Sequence, residues 1–131
     1  MTAVMLDGKT CAADLEENLK SRIKACDVIP HLAVIIVGDD PASHVYVRNK
    51  IRSCERLSIK STHLEFPENT PQIDIEKTIQ QLNDDDSLHG ILIQSPLPSH
   101  MDEESLTDLI DPEKDVDGFH PINLGNLLSQ E

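Results

Sequence analysis

The sequence predicts an α/β fold: a three-layer, mostly parallel sheet with helices on both faces. Three short runs of strand-forming residues support this prediction, at 32–37 (LAVIIV), 61–66 (STHLEF) and 89–94 (HGILIQ). Their starts lie 29 and 28 residues apart, the length of a strand, a crossover helix and the return. Because helical patterns fill both intervals, the strands are expected to run parallel.

Helical periodicity marks four segments. The first, at about 10–26, places apolar residues on one face: Ala12, Leu15, Leu19, Ile23 and Cys26. The second covers 43–57, with Ser43 expected as its N-cap, and the third begins at Thr70, with Pro71 at the first helical position. A short helix is expected over 102–110, before a loop rich in Asp, Pro and Gly at 111–123.

Ligands bind at the carboxyl ends of the strands in open α/β sheets, so reactive side chains are expected near these ends. Tyr46 and Lys50 follow the first strand and lie one helical turn apart, and Gln94 ends the third strand. Each has an ordinary structural explanation as well. A tyrosine beside a lysine is often a packing contact, and Asp115 and Asp117 commonly form turns in such a loop.

Length and charge exclude several classes of function. At 131 residues the chain can bury one core, and its net charge is −13. Residues 65–131 hold 16 acidic and 2 basic residues. This excess repels phosphate backbones and anionic lipids, so neither nucleic acid nor a membrane is expected as a partner. Three scattered cysteines and an amino terminus unlike a signal peptide lead us to expect a cytoplasmic protein.

Several well-known site motifs do not occur in the sequence. It contains no GxGxxG, Walker, HExxH or GxSxG pattern, and its five glycines are scattered singly. No metal site is therefore expected, and the chain has no visible means of holding the phosphates of a dinucleotide.

Three segments together resemble one enzyme family over essentially the whole chain: 37–50 (VGDDPASHVYVRNK), 89–98 (HGILIQSPLP) and 111–125 (DPEKDVDGFHPINLG). They are similar to the bifunctional methylenetetrahydrofolate dehydrogenase/methenyltetrahydrofolate cyclohydrolases. The resemblance implies NADP-dependent oxidation of 5,10-methylenetetrahydrofolate to the methenyl form, then hydrolysis to 10-formyltetrahydrofolate. It also implies that residues 1–131 are the catalytic domain of a homodimeric enzyme, inactive alone as a dehydrogenase. The loop 111–123 and the segment 122–131 would lead to an absent Rossmann-type domain that binds NADP.

The resemblance also implies roles for individual residues. Lys50 is the catalytic lysine, Gln94 hydrogen-bonds it, Tyr46 stacks on the pterin, and Asp117 recognises the pterin edge. Neighbouring residues are expected to complete the folate-binding surface: Val47, Arg48, Asn49, Ile93, Ser95 and Pro96. The family usually has leucine where this chain has Ser95, so we expect a slightly more polar pocket wall here.

These roles suit the residue types. A flat pterin offers a face for aromatic stacking and a guanidine-like edge that donates two hydrogen bonds to a carboxylate. A neutral lysine amine could take the proton of the water that attacks the methenyl carbon. Because an amide does not titrate, Gln94 could hold that amine without fixing it as an ammonium.

Other interpretations remain open at this stage. The chain could be a folate-binding fragment without catalysis. Asp39 and Asp40 could instead hold magnesium in a phospho-receiver domain. That class also needs a phospho-acceptor Asp at the end of the next core strand and a Lys at the end of a later one, and here Gln94 and a proline-rich segment occupy the expected place. Arg52 and Arg56 could attract the glutamate tail of folate, or they could simply form a solvated helix face.

Overall fold

A computed structural model describes residues 5–129 of the chain. Its sheet has the strand order β2-β1-β3, with both pairings parallel: β1 (His31–Val37), β2 (Lys60–Phe66) and β3 (Gly90–Ile93). The helices of this part of the chain are α1 (Gly8–Lys24), α2 (Pro41–Leu57), α3 (Gln72–Asn83), α4 (Glu103–Asp108) and α5 (Pro121–Ser129). The predicted α/β class is confirmed, with each strand within one residue of its expected bounds.

The central strand β1 is buried because helices cover both of its faces. On one face Ile35 packs with Ile75 of α3 and Leu106 of α4. On the other face Val34 packs with Val47 of α2. The continuous aliphatic run of this strand, which has no polar alternation, is typical of a doubly covered parallel strand.

Two predicted helix starts are wrong. Ser43 is not the N-cap of α2: Asp40 is, and its Oδ2 accepts a hydrogen bond from the Ser43 backbone N–H at 2.7 Å. Thr70 is not the N-cap of α3, because Pro71 occupies that position in an extended conformation. The first error shifts the N-cap by three residues and the second by one, and both leave the helices in place.

The first helix differs more from its prediction. None of the residues of α1 is buried, and Leu15 and Leu19 on its expected core face are exposed. Cys26 lies beyond the end of the helix. An ion pair of 2.7 Å between Arg56 Nη2 and Glu16 Oε1 ties α1 to α2. Within residues 5–129 the helices are too short or too polar to cross a bilayer.

Candidate active site

The candidate site lies at the carboxyl edge of the sheet, where β1 and β3 end side by side. After β1 the chain turns at Gly38, whose φ of +90° favours glycine, and enters α2. Beyond β3, the Gln94 backbone N–H still donates to the Ile35 carbonyl at 2.9 Å. This bond continues the sheet pattern by one residue and holds Gln94 at the edge of the sheet, facing α2.

Lys50 and Gln94 are in direct contact there. Lys50 Nζ donates to Gln94 Oε1 at 3.0 Å, and Gln94 Nε2 donates to the Ser95 carbonyl at 2.8 Å. Both ends of the Gln94 amide are therefore engaged, with its oxygen facing the amine. The hydrogen bond between lysine and glutamine that the family resemblance implied is present.

The remaining residues on α2 have different surroundings. Tyr46 is 61% exposed, so its ring is open to a flat ligand. Arg48 and Asn49 are also exposed. The side chain of Val47, in contrast, is buried in the core beneath the helix. Ile93 is likewise a core residue, so both of these side chains pack under the site.

The loop that carries Asp117 is attached to the free edge of β3. Asp115 forms an isolated parallel bridge with Ile91, and the Ile91 N–H donates to the Lys114 carbonyl at 2.7 Å. Asp117 lines a small pocket of about 20 Å³ together with Ser95 and other residues: Glu103, Thr107 and Phe119. The structure thus brings Asp117 to the same edge of the sheet as Gln94.

The charge of Asp117 is linked to that of Lys50. Removal of water around the Asp117 carboxyl raises its pKa, the positive charge of Lys50 opposes this rise, and the negative charge of Asp115 adds to it. The residue as a whole remains exposed, so the loss of hydration is partial. The Lys50 side chain therefore lies close enough to Asp117 for its positive charge to affect that carboxyl.

The pKa of Asp115 is shifted in the opposite direction to that of Asp117. Its Oδ2 accepts hydrogen bonds from Asn123 Nδ2 at 2.9 Å and the His120 N–H at 2.8 Å, and its Oδ1 accepts from the Gly118 N–H at 3.0 Å. Burial by itself would raise the pKa of Asp115, but these hydrogen bonds together lower it. Asp115 thus organises the loop, whereas the Asp117 carboxylate remains available to a ligand.

The segment after Gln94 forms one wall of a neighbouring cleft. The Ser95–Pro96 peptide bond is cis, and both residues are exposed. An open cleft of about 470 Å³ lies beside Pro96, between the ends of β1 and β2. Its lining is acidic and proline-rich: Val37, Gly38, Asp39, Asp40, Glu68, Pro96, Leu97, Pro98 and Ser99.

The residues considered for the folate tail or for magnesium pair with other side chains, cap a helix or face solvent. Arg56 pairs with Glu16, and Arg52 is exposed on α2. Asp39 contacts His44 at 2.9 Å, while Asp40 caps α2. Within residues 5–129 no group of three or more His, Cys, Asp or Glu is placed to hold a metal ion.

Three contacts of the site were not predicted from the sequence. Ser43 Oγ lies 2.9 Å from Asp40 Oδ2 and 3.3 Å from the Ser95 carbonyl. The sequence did carry a signal for the place of Ser43. Asp40 and Pro41 form an Asp-Pro pair, which is typical of a helix start, and Ser43 follows Asp40 by three residues. The Ser95 hydroxyl also contacts the Glu103 carboxylate, and no local sequence pattern predicts this pairing.

A dinucleotide does not fit the described residues well. In comparable sheets its phosphates bind at the amino end of the helix after the first strand. Here Asp39 and Asp40 occupy that turn, and the Asp40 carboxylate already accepts the N–H of Ser43. Negative charge and an occupied donor both disfavour a pyrophosphate at this position.

The chain is similar to known proteins over nearly its whole length. The family described as tetrahydrofolate dehydrogenase/cyclohydrolase, catalytic domain, matches residues 6–117. The bifunctional protein FolD of Moorella thermoacetica is 52% identical over 131 residues, which are 98% of this chain and 47% of that protein. FolD of Chlorobium chlorochromatii is 50% identical over 129 residues, which are 95% of this chain and 44% of that protein.

Solved structures of similar proteins have the same fold. The FolD methylenetetrahydrofolate dehydrogenase/cyclohydrolase of Campylobacter jejuni matches with a TM-score of 0.90 and 46% identity, over 95% of this chain and 45% of that one. The Trypanosoma brucei enzyme, solved with NADP and an inhibitor, matches with a TM-score of 0.90 and 32% identity, over 97% and 45%. The chain spans less than half the length of these relatives. On these matches, the chain belongs to the family of tetrahydrofolate dehydrogenase/cyclohydrolase catalytic domains.

Proposed function

We propose that a protein containing this chain oxidises 5,10-methylenetetrahydrofolate to 5,10-methenyltetrahydrofolate and hydrolyses the product to 10-formyltetrahydrofolate. In this proposal the chain supplies the folate site and the side chains that handle the proton. The observation that supports it most directly is the 3.0 Å contact of Lys50 Nζ with Gln94 Oε1, beside an Asp117 whose charge is linked to that lysine. The membership of the family supports the same assignment.

Each side chain then has a role in binding. The exposed ring of Tyr46 stacks on one face of the pterin. The Asp117 carboxylate accepts two hydrogen bonds from the guanidine-like edge, which requires the ionised form. Lys50, one turn along α2 from Tyr46, faces the one-carbon bridge. Arg48 and Asn49 at the exposed side of α2, and the segment of Ser95 and Pro96, border the bound folate.

Hydrolysis follows from the position of Lys50. A water oxygen forms a bond to the cationic methenyl carbon while the neutral Lys50 amine takes one proton of that water. The ammonium then gives this proton to N5 as the bond from N5 to carbon breaks. The hydroxyl proton leaves to solvent, and the formyl group remains on N10. Gln94 Oε1 accepts a hydrogen bond from Lys50 in both charge states, so it holds the amine throughout.

The hydride acceptor in this proposal is NADP, on the analogy of the Trypanosoma brucei enzyme. Because the acidic turn before α2 does not suit its phosphates, we assign their binding to residues outside this chain, and we derive no hydride step from the residues described. The proposal includes no metal, and it places a homodimer in the cytoplasm.

Replacement of Lys50 by methionine tests the proposal in a protein containing this chain. We expect cyclohydrolase turnover to fall by at least about 100-fold, the usual contribution of a general base, while folate affinity by calorimetry changes little. Lys60→Met, at the exposed start of β2, is the matched control. Turnover within about threefold of the parent would contradict the role of Lys50. A parent that binds folate without turnover would instead favour a purely binding function.

A further inference from the structure

Ser95 joins three elements around the candidate site. Its carbonyl accepts a hydrogen bond from Gln94 Nε2 at 2.8 Å and lies 3.3 Å from Ser43 Oγ of α2. Its hydroxyl contacts the carboxylate of Glu103, in the first turn of α4. Both the backbone and the side chain of Ser95 are therefore held by residues from different parts of the fold.

The Ser95 carbonyl selects the orientation of the Gln94 amide. A glutamine amide can turn by 180°, which would exchange its oxygen and its NH₂ group. A carbonyl only accepts hydrogen bonds, so the NH₂ group of Gln94 turns toward Ser95 and the oxygen turns toward Lys50. The Lys50 amine favours the same orientation, so a displaced Ser95 carbonyl would remove one of the two contacts that set it and leave the amide less firmly held.

Glu103 supplies a firm anchor for Ser95. Asp102 caps α4 through a hydrogen bond of 3.1 Å from the Ser105 N–H to its Oδ1, and Leu106 in the same helix is fully buried. In contrast, the last sheet hydrogen bond of the segment belongs to Gln94. Ser95 itself lies beyond the sheet, where Glu103 of α4 and Ser43 of α2 contact it.

We propose that Ser95 and Glu103 form a positioning pair, which fixes the Gln94 amide and through it the reactive amine of Lys50. The inference rests on the proposed cyclohydrolase function for its kinetic consequences, but the orientation of Gln94 is independent of that function. Neither residue takes a proton or contacts the methenyl carbon in this scheme, so both act through Gln94.

Two matched pairs of variants separate hydrogen bonding from size and charge. Ser95→Thr keeps the hydroxyl, and Ser95→Val removes it at nearly the same volume. Glu103→Gln keeps an acceptor oxygen, and Glu103→Ala removes it. Glu104→Ala, in the same first turn of α4, controls for the loss of a negative charge at the helix start.

We expect kcat of the cyclohydrolase to fall by about 10-fold or more in Ser95→Val and Glu103→Ala, the scale of a misplaced catalytic group. In Glu103→Ala, which leaves the folate-binding surface intact, KM should stay within about twofold. Glu103→Gln and Glu104→Ala should stay near the parent, and Ser95→Thr should lose clearly less kcat than Ser95→Val. The double variant Ser95→Val/Glu103→Ala should lose no more than either single variant, since the pair acts as one unit.

The side-chain amide signals of Gln94 in NMR provide the readout that does not need activity. They should shift, and exchange their protons faster, in Ser95→Val and Glu103→Ala but not in the three other single variants. Unmoved signals together with unchanged kcat would overturn the inference, as would equal effects of Glu103→Ala and Glu104→Ala. If Ser95→Val does not fold, the Glu103 variants decide. A parent without turnover whose Gln94 signals respond as expected would refute the proposed function and uphold the positioning pair.

Discussion

Gly90 and Val116 approach each other so closely that no side chain fits between them. A Cβ added at Gly90 would lie 2.5 Å from Val116 Cγ1 and 3.3 Å from Leu32 Cδ1. Gly90 is buried at the start of β3, and Val116 stands between Asp115 and Asp117 in the chain. The absence of a side chain at Gly90 therefore sets how near the loop with Asp117 comes to the sheet.

Gly90→Ala should accordingly disturb both stability and binding. We expect it to lower the free energy of unfolding by about 1–3 kcal/mol, as overpacking of an interior does. Folate binding should weaken too, because Val116 must move and Asp117 with it. Urea unfolding and calorimetry measure the two effects.

Gly125→Ala in α5 is the control for Gly90→Ala. A Cβ at Gly125 meets nothing within 4 Å, so stability should be unchanged or rise by up to about 1 kcal/mol. Equal results for both variants would contradict the role of Gly90.

The contrast between Gly90 and the strands explains what could be predicted from the sequence. The run 32–37, which includes Ile35, predicts a doubly covered strand because every residue in it is aliphatic. Periodicity alone predicts the helices between the strands. The approach of Val116 to Gly90 joins residues from separate segments, and no local pattern encodes it. The same holds for the contact of Ser95 with Glu103.

The first helix shows a second limit of prediction. Periodicity correctly finds a helix with an apolar face at Leu15 and Leu19, but both residues are exposed. Amphipathic spacing predicts which residues of a helix share a face, but it does not predict what that face contacts. The candidate site was more predictable than this face, because Gln94 comes directly after β3 and Tyr46 and Lys50 lie on the helix that follows β1. The topology of a parallel sheet gathers such residues at one edge.

Asp117→Asn should weaken folate binding and at the same time stabilise the fold. Binding should lose about 1–3 kcal/mol, since the amide NH₂ faces donors of the pterin edge. The pKa of Asp117 is raised in the folded protein, so its ionisation disfavours folding as pH rises from its ordinary value of 3.8 through the folded value. Asparagine removes this penalty. Calorimetry at pH 7 and thermal unfolding at two pH values provide the test.

The melting temperature of Asp117→Asn should exceed that of the parent at pH 7, and the gain should vanish below about pH 3.8, where the carboxyl of the parent is protonated in both states. A lower melting temperature at pH 7 would contradict the electrostatic argument. Unchanged folate affinity would instead refute the assignment of Asp117 to the pterin edge, so the two outcomes are separable.

Lys114 should be a stability residue in spite of its place beside the site. Its Nζ donates to three carbonyls near the end of α3: Leu82 at 3.0 Å, Asn83 at 2.7 Å and Asp85 at 2.9 Å. Lys114→Met leaves these carbonyls without their cation and should cost about 1–3 kcal/mol in urea unfolding. Lys77→Met is the control, because its exposed amine lies 3.8 Å from Asp74 and such pairs contribute about 0–1 kcal/mol. Similar losses in both variants would refute the capping role.

Asp115→Asn should destabilise the fold, in the opposite sense to Asp117→Asn. Because hydrogen bonds lower the pKa of Asp115 in the folded protein, its carboxylate contributes stability that is fully present above its ordinary value of 3.8. This stability is lost as pH falls through the lower folded value. Asparagine cannot match it, since its NH₂ group would face at least one of the donors from Gly118, His120 and Asn123.

The melting temperature of Asp115→Asn should therefore lie below that of the parent at pH 7, and the deficit should shrink as pH falls below about 3.8. Asp117→Asn provides an internal control, because it makes the same chemical change two positions away. Two acidic residues of one loop thus have distinct expected effects: the carboxylate of Asp115 holds the loop together, and that of Asp117 costs stability and serves the ligand. Changes of the same sign in both variants at pH 7 would show that net charge, and not these local contacts, governs the loop.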